Sequence, residues 1–146
     1  MPSEVQSDLE AIYEQVMWLA RQPLVSAGNA RAWYTHVMAE KVKRKIRRFT
    51  GRVSQAAIFS EDARDLRLEH YKRIQTVLTL LVERHRKLKR PRPQEFVKAV
   101  IESEKVHIVT SKENHAAMLA NGNYRNAGIV FGLCHVGDCR PGLAGY

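Results

Sequence analysis

The apolar positions in the first 50 residues recur at three- and four-residue steps, which is the period of an amphipathic helix. A first helix is predicted over residues 5–21. Ser7 and Glu10 have the spacing of a capping box, and Pro23 ends the segment. The predicted buried stripe consists of Val5, Leu9, Ile12, Tyr13, Val16 and Ala20.

A second helix is predicted from Asn29, a cap candidate, to about Phe49. Gly51 suits the left-handed position that commonly follows a helix. The predicted buried stripe of this helix consists of Trp33, Val37, Met38, Val42, Ile46 and Phe49.

The middle of the chain is predicted as a short strand over residues 53–59 and one long helix over residues 60–88. Ser60, followed by two acids, suits the first turn of this third helix. Pro93 suits the first turn of a fourth helix. The apolar face predicted for the third helix consists of Ala63, Leu66, Tyr71, Ile74, Val77, Leu78, Leu81 and Val82, and that of the fourth consists of Phe96, Val97, Val100 and Ile101.

The last third of the chain changes to a β-branched run. A strand is predicted over 106–110, a helix over 112–120 and a second strand over 128–133. The connection between the strands is long enough for a right-handed crossover, so a small parallel βαβ-like unit is predicted.

Together these elements predict an α+β fold, a mainly helical single domain with a small two- or three-stranded sheet near the C-terminal half. A chain of 146 residues is long enough to bury a core of its own. Within the domain we expect a helical pair over 5–50, a helical and small-sheet unit over 53–133, and an irregular tail over 134–146.

Composition places the chain among globular proteins, with 45% apolar and 27% charged residues. It contains no apolar run of the length that crosses a membrane, and its N-terminus lacks a signal-peptide pattern. Two cysteines, Cys134 and Cys139, are too few for a secreted disulfide scaffold, so reduced thiols are expected. These features predict a cytoplasmic protein of bacterial type.

The net charge of +9 favours a polyanionic partner. Helix dipoles need one or two cations at a C-terminus, yet two predicted helix ends carry six or seven each. The sequence therefore predicts nucleic-acid binding, to DNA or RNA. One alternative is a protein-interaction or regulatory module whose basic face meets an acidic protein partner. No cofactor is expected, except a divalent metal if the nuclease hypothesis described next holds. The two clusters are Lys41, Lys43, Arg44, Lys45, Arg47, Arg48 and Arg52, then Arg84, Arg86, Lys87, Lys89, Arg90 and Arg92.

Acids beside histidines raise a second hypothesis, a metal-dependent nuclease in which the acid binds a divalent ion and the histidine activates water. Against it, Glu69 and His70 on a continuous helix point about 100° apart, and Glu69 is spaced for an i,i+4 pair with Arg73. The candidate residues are Glu69, His70, Glu102, Glu104 and His107.

Two further segments carry polar groups that can bind ligands. At the start of the predicted helix 112–120, Thr110 with Glu113 or Ser111 with Asn114 can form the cap, while Ser111 and Lys112 can also bind an anion. The segment CHVGDC holds two thiols and an imidazole, which is fewer ligands than a structural zinc site needs.

The motif order SEDAR, LEHYKRIQT, EKVHIVTSKEN and NYRNAGI resembles a pattern in small uncharacterised bacterial proteins. They share a Ser-x-x-Ala opening, a Glu-His pair, an IVT-x-x-E strand-to-helix step and a Y-x-x-A-G-I end. The family pattern has a proline where this chain has Arg73. The resemblance implies that residues 54–130 form one unit and keeps Glu69, His70 and His107 as candidates.

Overall fold

The computed structural model describes residues 3–70 and 72–133. Their contacts form two compact units: residues up to 47 with 72–104, here called the helical unit, and 48–71 with residues from 105 onward, here called the sheet unit. In the part of the chain described, no helix combines the length and the apolar character that a membrane crossing requires. The tail predicted over 134–146, with Cys134 and Cys139, lies outside the described residues.

The elements follow one another in chain order as helices α1 to α7 and strands β1 to β4. They are α1 (Glu4–Ala20), α2 (Ala27–Ala32), a π-helical turn (Trp33–Met38), α3 (Ala39–Ile46), β1 (Arg48–Ser54), α4 (Gln55–Phe59), a 3₁₀ turn (Ala63–Asp65), β2 (Leu66–His70), α5 (Ile74–His85), α6 (Pro93–Ser103), β3 (Lys105–Thr110), α7 (Ser111–Leu119) and β4 (Phe131–Leu133). The prediction of a mainly helical α+β fold is confirmed.

The helical unit packs the predicted stripe of α1 against α5 and α6. Leu9 and Val16 are fully buried in one cluster with Leu78, Phe96 and Val100. The first helix was therefore predicted correctly, but its cap was wrong. Ser3, not Ser7, accepts the capping hydrogen bond, from the backbone amide of Gln6 at 3.1 Å.

The second predicted helix contains a π-helical turn that the sequence pattern did not reveal. Buried positions run Ala30, Tyr34, Ala39, Val42 and Ile46, so one step is five residues long instead of three or four. A π turn, with its i→i+5 hydrogen bond, absorbs this extra residue. As a consequence Val37, predicted to be buried, is 42% exposed, and Trp33 is only half-buried.

Three predictions for residues 47–88 were wrong. The second helix ends at Ile46, and Gly51 lies inside β1 at φ +84°. Residues 55–59 form a short helix, not a strand. The long helix 60–88 is a 3₁₀ turn, β2 and α5. Residues 66–69 alternate apolar and polar side chains, which is the period of a strand, and residues 66–70 pair with β3 instead of continuing a helix.

The sheet has four strands in the order β2-β3-β1-β4, one more than the largest number predicted. β3 pairs parallel with β1 and antiparallel with β2, while β4 pairs antiparallel with β1. The predicted βαβ-like unit of β3 and β4 is wrong, because the two strands are not neighbours. Both faces of β3 are buried, one in a cluster around Val53 and Ala57 and the other in a cluster around Ala117 and Ile129.

Candidate nucleic-acid interface and acid-histidine sites

Three residues of the first basic cluster form ion pairs within the helical unit. Lys43 pairs with Glu40 at the start of α3. Lys45 Nζ lies 3.5 Å from a carboxylate oxygen of Glu4. Arg47 Nε donates to Glu104 Oε2 at 3.3 Å. Among the described residues, the cluster members that are exposed and form neither an ion pair nor a side-chain hydrogen bond are Lys41, Arg44, Arg48 and Arg52.

The second basic cluster likewise contains some cations with a partner and others that are exposed without one. Arg84 and Arg92 donate to Glu95 at 2.7 and 3.2 Å. Arg86 donates to the carbonyl oxygens of Ala20 and Val25, and so closes the turn after α1. Within residues 3–70 and 72–133 the exposed members without such partners are Lys87, Lys89 and Arg90.

The two clusters lie toward opposite ends of α1. Lys45 contacts Glu4 in the first turn of α1, and Arg86 contacts Ala20 in its last turn. Glu4 and Ala20 are 16 positions apart, so at a rise of about 1.5 Å per residue these contacts lie about 24 Å apart along the helix. The members of the two clusters that belong to the helical unit therefore form two separate patches.

Most of the positive charge belongs to the helical unit. Residues 1–47 and 72–104 contain 16 Lys and Arg against nine Asp and Glu, a formal charge of +7. The remaining residues, with eight against six, carry +2. Arg48 and Arg52 of the first cluster belong to the sheet unit, so the fold divides that cluster.

A buried hydrogen-bond chain connects α1, α5 and α6. The Tyr13 hydroxyl lies 2.7 Å from His85 Nδ1, and His85 Nε2 lies 2.9 Å from Glu95 Oε2. The backbone amide of Arg92 donates to the Tyr13 hydroxyl at 3.1 Å. Hydrogen bonds from His85, then from Arg92 and Arg84, lower the pKa of Glu95 to about 2. The Glu95 carboxylate is therefore ionised at neutral pH, and the chain of hydrogen bonds connects three helices of the helical unit.

The sheet places Glu69 and His70 on strand β2, which corrects the prediction that they lie on a helix and that Glu69 forms an i,i+4 helical pair with Arg73. Glu69 stands directly opposite His107 of β3, so the two share one face of the sheet. His70 stands opposite Val106 and points to the other face. The sheet brings together one acid-histidine pair of the predicted set.

His107 lies in an aromatic environment and is 1% exposed. Its Nδ1 lies 2.6 Å from the Thr50 hydroxyl, which also lies 3.2 Å from the Val106 carbonyl. The rings of Tyr124 and Phe131 pack at centroid distances of 5.8 and 4.9 Å. Burial, with a smaller contribution from the charge of Arg52, lowers the pKa of His107 to about 4. The ring is thus neutral at physiological pH.

The two other predicted acids belong to the helical unit. Glu104 has a side chain that is 4% exposed and pairs with Arg47. Glu102 lines a groove of about 420 Å³ between α5 and α6, together with Arg84, Glu95 and Lys98. Over the described ranges, 3–70 and 72–133, no three or more His, Cys, Asp or Glu side chains are grouped to hold a metal ion.

The start of α7 carries the predicted capping box. The Thr110 hydroxyl accepts from the Glu113 amide at 3.1 Å, and the Glu113 carboxylate accepts from the Thr110 amide at 3.0 Å. Ser54 also donates its hydroxyl to Glu113. The sequence allowed two alternative caps for this helix, and the one with Thr110 and Glu113 is confirmed. Ser111 and Lys112 are exposed. The CHVGDC segment lies outside the described residues.

Sequence reasoning missed an apolar cleft in the helical unit. It has a volume of about 430 Å³, and we call it the tryptophan cleft. Its lining residues are Glu14, Gln15, Trp18, Leu19 and Trp33. Trp18 lies outside the buried stripe of α1, which was the available signal: a large apolar residue on a polar helix face.

No protein-family model, no curated protein and no solved structure matches this chain.

Proposed function

We propose that the helical unit binds a nucleic acid through two patches of lysine and arginine. The observation that carries this proposal is the presence of five exposed cations with no acidic partner among the described residues. They are Lys41 and Arg44 on α3, and Lys87, Lys89 and Arg90 between α5 and α6.

Unpaired like charges repel one another, so such patches reduce the stability of the folded unit unless an anion neutralises them. The chain can neutralise cations where it needs to, since Arg47, Arg84 and Arg92 each have a carboxylate partner. A nucleic-acid backbone neutralises the remaining cations and releases its condensed counterions, which favours binding.

The separation of the patches suits an extended polyanion. About 24 Å between the ends of α1 corresponds to roughly seven nucleotides of a strand at about 3.4 Å each. A compact anionic metabolite reaches only one patch. A nucleic acid of eight or more nucleotides can reach both.

The test is the salt dependence of binding to a fluorescein-labelled 20-base-pair DNA duplex and to RNA and DNA single strands of equal length. Each phosphate contact contributes a slope of about 0.9 for duplex or 0.7 for single strands in a plot of log affinity against log salt. Lys41→Gln with Arg44→Gln should lower the duplex slope by about two, and Lys87→Gln, Lys89→Gln and Arg90→Gln together by about three.

The matched control is Arg67→Gln with Arg125→Gln. Both residues are exposed in the sheet unit, and this variant loses the same charge as the α3 variant. It should leave the slope within about 0.5 of the parent value. Equal losses in the two variants would mean that net charge alone governs binding, and absent or salt-independent binding would refute the proposal. Equally tight binding of poly-glutamate would point to an acidic protein partner instead.

A further inference from the structure

The tryptophan cleft exposes aromatic surface that the core of the helical unit does not use. Trp18 is 63% exposed, although the neighbouring α1 residues Met17 and Ala20 are buried. Trp33 is half-buried and forms the other aromatic part of the lining. The cleft volume of about 430 Å³ lies in the range of small-molecule sites.

One hydrogen bond holds the Trp33 indole of the cleft in place. Trp33 Nε1 donates to Gln15 Oε1 at 2.7 Å, which holds the Trp33 indole against α1. Trp33 is also the first residue of the π turn, a local irregularity that is frequent at functional sites. The hydrogen bond uses the Gln15 carbonyl oxygen, so its amide group remains able to donate to a ligand.

Side chains of opposite charge lie on either side of Trp18 in the sequence of the helix. Glu14 and Trp18 lie on one face of α1 at i and i+4, and Arg21, the C-cap residue at i+7, continues that face. Arg21 is exposed, and among the described residues its guanidinium has no acidic partner. A guanidinium three residues from Trp18 can contact a phosphate, while the exposed Glu14 repels phosphate and can accept a hydrogen bond from a base amino group.

We propose that the tryptophan cleft stacks an unpaired base of a single-stranded nucleic acid, with Arg21 on the adjoining phosphate. This inference rests on the proposed function, because the basic patches supply the affinity for the backbone. Aromatic side chains flanked by cations are the usual arrangement for single strands, whose bases have free faces. Bases inside a duplex are already stacked and cannot enter.

The experiment uses the intrinsic fluorescence of the two tryptophans, since the chain contains only Trp18 and Trp33 and both line the cleft. Titration with a 12-nucleotide DNA strand should quench this emission. A strand of equal length and charge that carries abasic tetrahydrofuran residues should bind with an affinity at least about tenfold lower. It should not quench the emission. The unmodified protein suffices for this comparison.

Two variants test whether Trp18 contributes to the affinity for the single strand. Trp18→Leu keeps apolar surface but loses the stacking face, and should lower the affinity for the 12-nucleotide strand about tenfold while leaving duplex binding unchanged. Leu80→Ala is the control, because Leu80 is 65% exposed in the same unit but outside the cleft. Thermal melts check that both variants are folded.

The outcomes separate the two proposals. If no nucleic acid binds, both fail. If salt-dependent binding occurs but the abasic strand binds as well as the normal one, or Trp18→Leu binds as well as the parent, the stacking role alone is overturned. A quench confined to the strand with bases, and lost affinity in Trp18→Leu alone, supports it.

Discussion

Acidification should destabilise the sheet unit through His107. The ring is buried between Tyr124 and Phe131, and burial, with Arg52 nearby, lowers its pKa to about 4 from an ordinary value of 6.5. Below pH 6.5 the unfolded chain therefore binds a proton at this position, whereas the folded protein does not until about pH 4. The free energy of unfolding consequently falls as the pH falls across this window, and stops falling below it.

The magnitude follows from the two pKa values. A separation of 6.5 to about 4, at 1.36 kcal/mol for each pKa unit, amounts to about 3 kcal/mol, which is a substantial part of the 5–15 kcal/mol that stabilises an ordinary domain. The neighbouring Thr50 hydroxyl satisfies Nδ1 but carries no charge, so it cannot hold a proton on the ring. Glu69 stands opposite His107 on the same face of the sheet, and a negative charge there would reduce the effect.

The assay compares urea unfolding of the parent and His107→Leu at pH 7, 5.5 and 4 by circular dichroism. The stability difference between the two should change by about 3 kcal/mol in favour of the variant between pH 7 and pH 4. His115→Gln, an exposed histidine on α7, is the matched control and should keep the parent's pH dependence. Nuclear magnetic resonance of the imidazole nitrogens measures the titration directly. A folded-state midpoint near 6.5, or identical pH dependence in His107→Leu, would refute the reasoning.

Three further substitutions test contacts within one or the other of the two units. Tyr13→Phe removes the hydroxyl that joins His85 and the Arg92 amide, and should lower the free energy of unfolding by about 1–3 kcal/mol in urea titrations, with no loss contradicting the network. Thr110→Ala should cost about 1 kcal/mol by removing the α7 cap, whereas Ser111→Ala should cost a few tenths; equal costs would contradict the capping box. Arg47→Met should cost about 3 kcal/mol by leaving Glu104 buried beside an apolar chain, and adding Glu104→Leu should recover most of it in thermal melts; a double variant as unstable as the single one would exclude that explanation.

The sequence by itself determined the elements whose signals are local. α1 follows an uninterrupted stripe, α6 begins at Pro93, and α7 begins at the capping box of Thr110 and Glu113. In each case the residues that form the element lie within a few positions of one another, so the pattern contains the physical cause.

The tertiary structure decided the elements whose partners are distant. Residues 66–70 fit a helical stripe when taken with their neighbours, but pairing with β3 some 40 residues later makes them a strand. The π turn at 33–38 keeps both Tyr34 and Ala39 in the core. The local sequence alone does not show that both residues are buried.

The same division applies to the candidate interface. The sequence displayed 13 cations in two clusters, and only the fold determined which of them are exposed without a partner. Arg47 pairs with Glu104, 57 residues away, and Arg86 donates to backbone carbonyls more than 60 residues away. Ion pairs and burial depend on distances in space between residues far apart in the chain, so the unpaired cations and the tryptophan cleft became apparent only in the folded unit.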